Sequence, residues 1–350
     1  MKRNAAMTTP FAPKALASQL ASLAPDQWAN ETALRVMAEL MQHRRSAGAP
    51  KCSAYCPACL APHLSKVVTA VEQNIPVTFV LPAFPGKSPN TAKVLGHLPD
   101  LAERESLEFL QQLCERIQQI YAPGAAMILC SDGRVFSDIV GMREEDVSAY
   151  QREISAMIRE LGLTKLSTFN LDEIYEDVNF DQMRTHLMEN FGASLESLQM
   201  KVRRGGLEGC AREDADAHRM YLGITRFLVE DASHPGQTQS RTAIQKDCKV
   251  RAYEVIRRSN AWSELVAERF PDAVRLSIHP QTCGSAKLGI MLLKAGSWMT
   301  PWHGVAVKFG ENTVLLKRAK AEALGARMVQ SSGRPSHFEL PERRRVLRVI

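Results

Sequence analysis

The sequence predicts an α/β protein: a parallel or mixed sheet flanked by helices, with a helical insertion. Three observations carry this. Between residues 75 and 161, short β-rich apolar runs alternate with amphipathic runs of helical period. Residues 171–232 and 240–270 then read as helical. Strand signals return in short, closely spaced pieces between residues 273 and 309.

The elements follow in order. Residues 14–42 place alanine and leucine at helical spacing, and 43–62 read as a Cys/Pro/Ala-rich connector. "IPVTFVLPAF" (75–84) is a buried strand running into a loop stiffened by Pro82 and Pro85. "AERESLEFLQQLCERIQQIY" puts Leu107, Leu110, Cys114, Ile117 and Tyr121 on one helical face. "GAAMILCSDGRVF" is a second buried strand with a polar end at Ser131–Arg134, and 145–161 is a helix. Strand, helix, strand, helix in this order argues for a parallel sheet. "AVRLSIHP" (273–280), "KLGIMLLK" (287–294) and "GVAVKF" (304–309) are close enough that part of their pairing is expected to be antiparallel or mixed. The expected divisions are a helical extension over 1–45, a catalytic domain over 46–325 and a basic tail over 326–350.

The chain has 350 residues, 45% hydrophobic and 23% charged, which suits a globular protein. No apolar run reaches the ~20 residues of a membrane helix, so no membrane partner is expected. The first 25 residues lack the apolar core of a secretory signal. They also lack acids, so a transit-like leader competes with a frayed start, and a cytoplasmic protein is the expectation. Net charge is +6; residues 301–350 hold ten Lys and Arg against four Asp and Glu, which accounts for the whole excess. The end "PERRRVLRVI" and the basic run 241–258 therefore raise a nucleic-acid-binding alternative. No aromatic interleaving accompanies them, so no nucleic-acid partner is expected.

Eight cysteines are scattered along the chain, which is no disulfide framework in a protein of this length without a signal. Three, Cys52, Cys56 and Cys59, lie at C-x₃-C-x₂-C, the spacing of a radical-SAM iron–sulfur loop. The context is wrong for that: Ala58 stands where an aromatic residue usually precedes the third cysteine, and a helix precedes the loop. A zinc site from Cys52 or Cys56, Cys59 and His63 fits the ligand types better, but the second half of a zinc ribbon is missing. Ordered free thiols are the plain alternative, and no metal is expected at the catalytic centre.

In open α/β sheets ligands bind beyond the carboxyl ends of the strands. "FPGKSPN" follows the first strand and carries Lys87, Ser88 and Asn90. It is not a P-loop: Leu81 stands where the first glycine belongs, and Pro82, Pro85 and Pro89 weaken a phosphate cradle. "SDGRVF" brings Asp132, Arg134 and Phe136 to the end of the second strand, where a carboxylate can act as base and an arginine can grip an anion at two points. Late in the chain, His279, Lys287, Thr300, Trp302 and His303 gather around short strands. Histidine titrates near neutrality and suits proton transfer; a lone one is more often structural. Lys87 also has a bland reading as a surface lysine in a proline turn, and Asp132 and Arg134 as a turn pair; Trp302 could wall an aromatic pocket.

"FVLPAFPGKSPNTAKVLGHLPD", "ILCSDGRVFSDIVG", "RLSIHPQ" and "TPWHGVAV" together closely resemble the isonitrile (isocyanide) synthase family, the PvcA-type or pyoverdine/dityrosine biosynthesis family, from about residue 45 to about residue 320. The resemblance implies a Rossmann-like core and an enzyme without cofactor that joins the α-amine of an amino acid, commonly L-tyrosine or L-tryptophan, to C2 of D-ribulose 5-phosphate. That carbon stays on nitrogen as the isonitrile carbon while carbon–carbon bonds of the sugar are cleaved. Such chemistry needs a base for the amine, an acid for loss of water and cations for the phosphate. On this basis Lys87, Asp132, His279 and His303 are expected to be catalytic. Ser88, Asn90, Arg134, Phe136, Lys287, Thr300 and Trp302 are expected to bind substrate, with Lys87, Arg134 and Lys287 as the phosphate cations. No H-x-D iron site is evident, so any downstream tailoring enzyme is expected to be a separate protein.

Overall fold

The computed structural model describes residues 25–46, 52–293 and 299–340. Its centre is a parallel sheet of β1 (Val77–Leu81), β2 (Ala125–Cys130), β3 (Leu166–Phe169), β4 (Val274–Ser277) and β5 (Leu288–Gly289), in the order β3-β2-β1-β4-β5. The chain first winds outward from β1 through β2 to β3. It then crosses back to place β4 on the other side of β1. The β1/β4 boundary is thus the point where the winding reverses, and a crevice is expected there at the strands' carboxyl ends.

Strand alternation assigns the two faces. Val77, Phe79 and Leu81 of β1, and Ala125, Met127 and Leu129 of β2, join one core cluster. Helices α1 (Pro25–Gln42), α2 (Pro57–Glu72), α3 (Leu101–Ile120) and α5 (Glu144–Glu160) cover that face. Val80 and Cys130 point the other way, onto α4 (Gly133–Val140), α6 (Phe180–Phe191) and α9 (Arg241–Arg269). Such β-strands, apolar on both faces, are what a doubly covered parallel sheet requires. The anticipated face of α3 is buried: Leu107, Leu110, Cys114 and Ile117 are inaccessible. Its start is a capping box, with Asp100 as N-cap and Glu103 returning to the Asp100 amide.

The insertion between β3 and β4 comprises α6, α7 (Leu195–Arg204), α8 (Arg212–Ala232) and α9, the last a single helix over 241–269. A second, mixed sheet has the order β7-β6-β9-β8, from β6 (Val305–Phe309), β7 (Asn312–Leu316), β8 (Arg327–Ser331) and β9 (Arg334–Glu339), with α10 (Arg318–Ala323) packed against it.

Several elements differ from expectation. The connector 43–62 already contains the start of α2, because Pro57 occupies N1, where its missing N–H costs nothing. β3 was not anticipated: four residues with only Leu166 and Phe169 buried are too short to display a period. β5 is much shorter than the run 287–294, since Ile290 already bridges to Arg44. Residues 327–339, expected within a basic tail, form a hairpin whose β9 pairs in parallel with β6. The arginines after Glu342 and the first 24 residues lie outside the described residues. Among the described residues no helix is long and apolar enough to cross a membrane.

Candidate active site

The loops after β1 and β2 touch directly. A Cβ on Gly133 would lie 1.9 Å from the Pro85 carbonyl oxygen, so only glycine allows this approach. One consequence is that Asp132, N-cap of α4, is held beside the 82–90 loop.

That loop is anchored from within. Lys87 Nζ donates to Asp100 Oδ2 at 2.8 Å, lies 2.7 Å from Glu103 Oε2 and reaches the Pro301 carbonyl at 3.2 Å. The Lys87 side chain has no exposure, and its charge is already balanced. It therefore differs from the phosphate cation expected: it fastens the loop to the start of α3. Burial disfavours the Lys87 ammonium, but Asp100 and Glu103 outweigh this and hold its pKa above the usual value. Burial pushes the Glu103 carboxyl up to about 7 against the pull of Lys87. Its Oε1 accepts from the Tyr150 hydroxyl at 3.1 Å.

Ser88 and Asn90 are likewise framework. Ser88 Oγ donates to Asp231 Oδ1 at 2.7 Å, and its amide donates to the Trp302 carbonyl at 2.8 Å. Asn90 Nδ2 donates to the Glu230 carbonyl at 2.8 Å. Lys93 Nζ, buried, meets the same Asp231 oxygen. These contacts dock the loop on the end of α8. Trp302 is 2% exposed and packs edge-on against Phe84, so it is a core residue and not the pocket wall expected. Thr300 Oγ1 shares a 2.9 Å hydrogen bond with His303 Nδ1 and orients that ring, whose Nε2 faces Asp231 Oδ2 at 3.9 Å. That buried oxygen has no hydrogen-bond partner among the described residues.

The remaining residues form an electrostatically linked row. Burial pushes the Asp132 carboxyl up to about 7, although the Lys287 ammonium opposes the shift. Burial, and then Arg275, bring Lys287 down to about 8, with Glu264 and Asp132 opposing. His279 is reached by water, yet desolvation by surrounding protein, Arg45 and Lys287 hold its imidazole below the usual range. His303 is held well below that range by burial and the charges of Lys93, His279 and Lys87. Asp132, Lys287, His279 and His303 thus respond to one another in sequence, and they come from the ends of β2 and β4, the start of β5 and the turn before β6. Two oppositely charged groups with pKa values brought together near neutrality can exchange protons at working pH.

Arg134 turns toward the β3 side. Its Nη2 pairs with Asp172 Oδ2 at 2.9 Å and its guanidinium lies 5.2 Å from the Phe180 ring centre. Its Nε and Nη1 are buried without a hydrogen-bond partner among the described residues. Phe136 is half-buried between two apolar clusters. A cavity of about 330 Å³ opens behind Asp231, lined in part by Pro89, Leu228 and Arg251; it does not touch Asp132, His279 or Lys287.

Several site residues were not anticipated. Asp100 and Glu103 had a legible signal, the capping box D-x-x-E. Arg45, Lys93 and Asp231 had none. Three of the six cations in the stretch 241–258 are engaged internally: Arg251 with Asp247, Arg257 and Arg258 with Glu254, and Arg258 also with Asp138. The cysteine loop also differs from expectation. Cys52, Cys56 and Cys59 are joined by Cys283, with all four sulfurs within 4.8 Å of one another, and His63 is not in the group.

The family model described as "Pyoverdine/dityrosine biosynthesis protein" matches residues 67–329. The L-tryptophan isonitrile synthase AmbI2 of Fischerella ambigua is 46% identical over 311 residues, covering 88% of this chain and 92% of that protein. An L-tyrosine isonitrile synthase of Pseudomonas aeruginosa is 46% identical over 285 residues, covering 80% of this chain and 84% of that protein. The crystal structure of the PvcA protein from Pseudomonas aeruginosa superposes with a TM-score of 0.82 at 43% identity, covering 89% of this chain and 100% of that one.

Proposed function

The chain belongs to the pyoverdine/dityrosine biosynthesis protein family, and on that premise we propose that it is an isonitrile synthase acting on L-tryptophan or L-tyrosine. Its carbon donor in this reading is D-ribulose 5-phosphate, whose C2 becomes the isonitrile carbon. Supporting the activity is the identity of almost half, over most of both chains, to relatives named for it. Supporting the site is one relationship: Asp132, after β2, and Lys287, before β5, feel each other's charge, with the carboxyl shifted up to about 7 and the amine down to about 8.

Asp132 as carboxylate takes a proton from the substrate ammonium, freeing the amine to attack the sugar ketone. Lys287 as ammonium returns a proton to the carbinolamine oxygen, which leaves as water. Neutral His279 and His303 are suited to take protons from the sugar hydroxyls. The two Arg134 nitrogens without a partner among the described residues are suited to a phosphate or carboxylate. Phe136, half-buried two residues after Arg134, is suited to an aromatic side chain. Lys87, Ser88, Asn90, Thr300 and Trp302 act in this reading as positioning residues.

The deciding experiment incubates the purified protein with D-ribulose 5-phosphate carrying carbon-13 at C2 and with L-tryptophan, L-tyrosine or other amino acids. Mass analysis is expected to find a labelled isonitrile from an aromatic amino acid. Absence of labelled product from every amino acid offered would overturn the reading.

A further inference from the structure

The four cysteines brought together at the foot of α2 are not used in the chemistry above. Cys59 Sγ lies 3.5 Å from Cys283 Sγ, and Cys56 Sγ lies 3.8 Å from it. A tetrahedral zinc ion with Zn–S bonds of about 2.3 Å sets its sulfurs about 3.8 Å apart. A disulfide would need about 2.05 Å, and the four thiols are free. In a four-iron cluster each thiolate binds a different iron, which spreads the sulfurs wider than this group. We propose that Cys52, Cys56, Cys59 and Cys283 bind one structural zinc ion.

The surroundings fit such a site. Cys56 is the N-cap of α2, and the Cys59 and Leu60 amides donate to its carbonyl at 3.0 and 3.1 Å, forming a tight C-x₂-C turn. A zinc with four thiolates carries a net negative charge, and cations beside it lower that cost. Arg44 Nη1 donates to Cys59 Sγ at 3.2 Å. Arg212 Nη2 donates to the Cys283 carbonyl at 2.6 Å and to Thr282 Oγ1 at 2.8 Å. Sulfur in all four positions leaves none open for substrate, so the metal's role is structural.

That role is specific. Cys59 and Cys283 are 224 residues apart in sequence. The metal staples the start of α2 and the connector before it to the β4–β5 loop, which begins beside His279 and ends at Lys287. The backbone already couples these segments: the Arg45 amide donates to the Gly289 carbonyl at 2.8 Å, and Arg45 Nη1 donates to the Ile278 carbonyl at 2.5 Å.

The test uses the full chain with an affinity tag free of histidine and cysteine, purified without chelator. Elemental analysis is expected to give about one zinc per chain. Cys59→Ser and Cys283→Ser should lose it, while His63→Ala and Cys210→Ser keep it. The reduced, metal-stripped wild type should take up cobalt(II) with the spectrum of a tetrahedral tetrathiolate. This arm stands even if the cysteine variants fail to fold. Iron in place of zinc, a mapped disulfide within the group, or a reduced wild type that holds less than about a tenth of an equivalent of zinc and takes up no cobalt would overturn the proposal.

Discussion

The Lys87 ammonium lies 2.7 Å from Glu103 Oε2 with both side chains sealed from water, and Asp100 closes the group from the other side. One lysine faces two carboxylates, so burial forces Glu103 to keep its proton until about pH 7. Removing the lysine leaves buried carboxylates uncompensated. Lys87→Met is expected to cost about 3–5 kcal/mol in urea unfolding. Turnover should fall with it, because the loop carrying Ser88 and Asn90 loses its anchor.

Glu103→Gln should behave differently, since it mimics the protonated acid and leaves Lys87 paired with Asp100. A carboxyl whose folded pKa is raised from 4.5 to about 7 binds its proton more tightly in the folded state. Its contribution to stability is complete below the unfolded value and is lost as pH rises through the folded one. Denaturation of the wild type across that window is expected to show this decline, and Glu103→Gln to flatten it. An unchanged slope in the variant would remove Glu103 as the cause.

In the proposed mechanism Asp132 works as carboxylate and Lys287 as ammonium. Turnover should therefore rise through about 7 and fall through about 8, a narrow bell whose apparent values belong to the pair. Lys287→Arg, if active, should extend the alkaline limb, because guanidinium keeps its proton. Asp132→Asn should lower kcat by at least about a hundredfold, the usual contribution of a general base. A pH profile of kcat/KM for the three proteins checks both points.

Gly133→Ala would drive a methyl group into the Pro85 carbonyl. Overpacking of this kind costs about 3 kcal/mol or more where backbone must move. Because the clash separates the loops after β1 and β2, residual folded protein should also lose turnover. Retained stability and activity would contradict the close approach described.

Trp302 and Phe136, both expected to line the pocket, should now separate. Trp302→Ala removes a 2% exposed side chain from the main core and is expected to cost about 3–5 kcal/mol. Phe136→Ala, half-buried, should cost less in stability and more in KM for the aromatic amino acid. Thermal unfolding and steady-state kinetics on the two variants read the difference.

Periodicity made the framework legible where elements were long. The face of α3 and the both-sided apolar character of β1 and β2 are local patterns, and the folded chain buries what they predict. β3 and β5 escaped because four and two residues are too few for a pattern, and their strand character comes from neighbours already in the sheet. Most of the motif residues come to the loops around β1, β2, β4 and β5, but which of them are tied up in buried hydrogen bonds and ion pairs was not legible. Lys87 and Lys287 are the same side chain after similar loops. One is matched with two carboxylates at the start of α3, and the other sits half-buried with its pKa lowered.

The order of apolar and polar residues along the chain by itself determined the α/β class, the main helices and the polar ends of β1 and β2, because those depend on neighbours a few positions away. Only tertiary structure decided that Cys283 joins Cys52, Cys56 and Cys59, that Asp231 receives Ser88 and Lys93, and that Asp132 feels the charge of Lys287. Those pairings depend on the crossover from β3 back to β4, which brings distant segments within a few ångströms, where charge and metal-ligand geometry act.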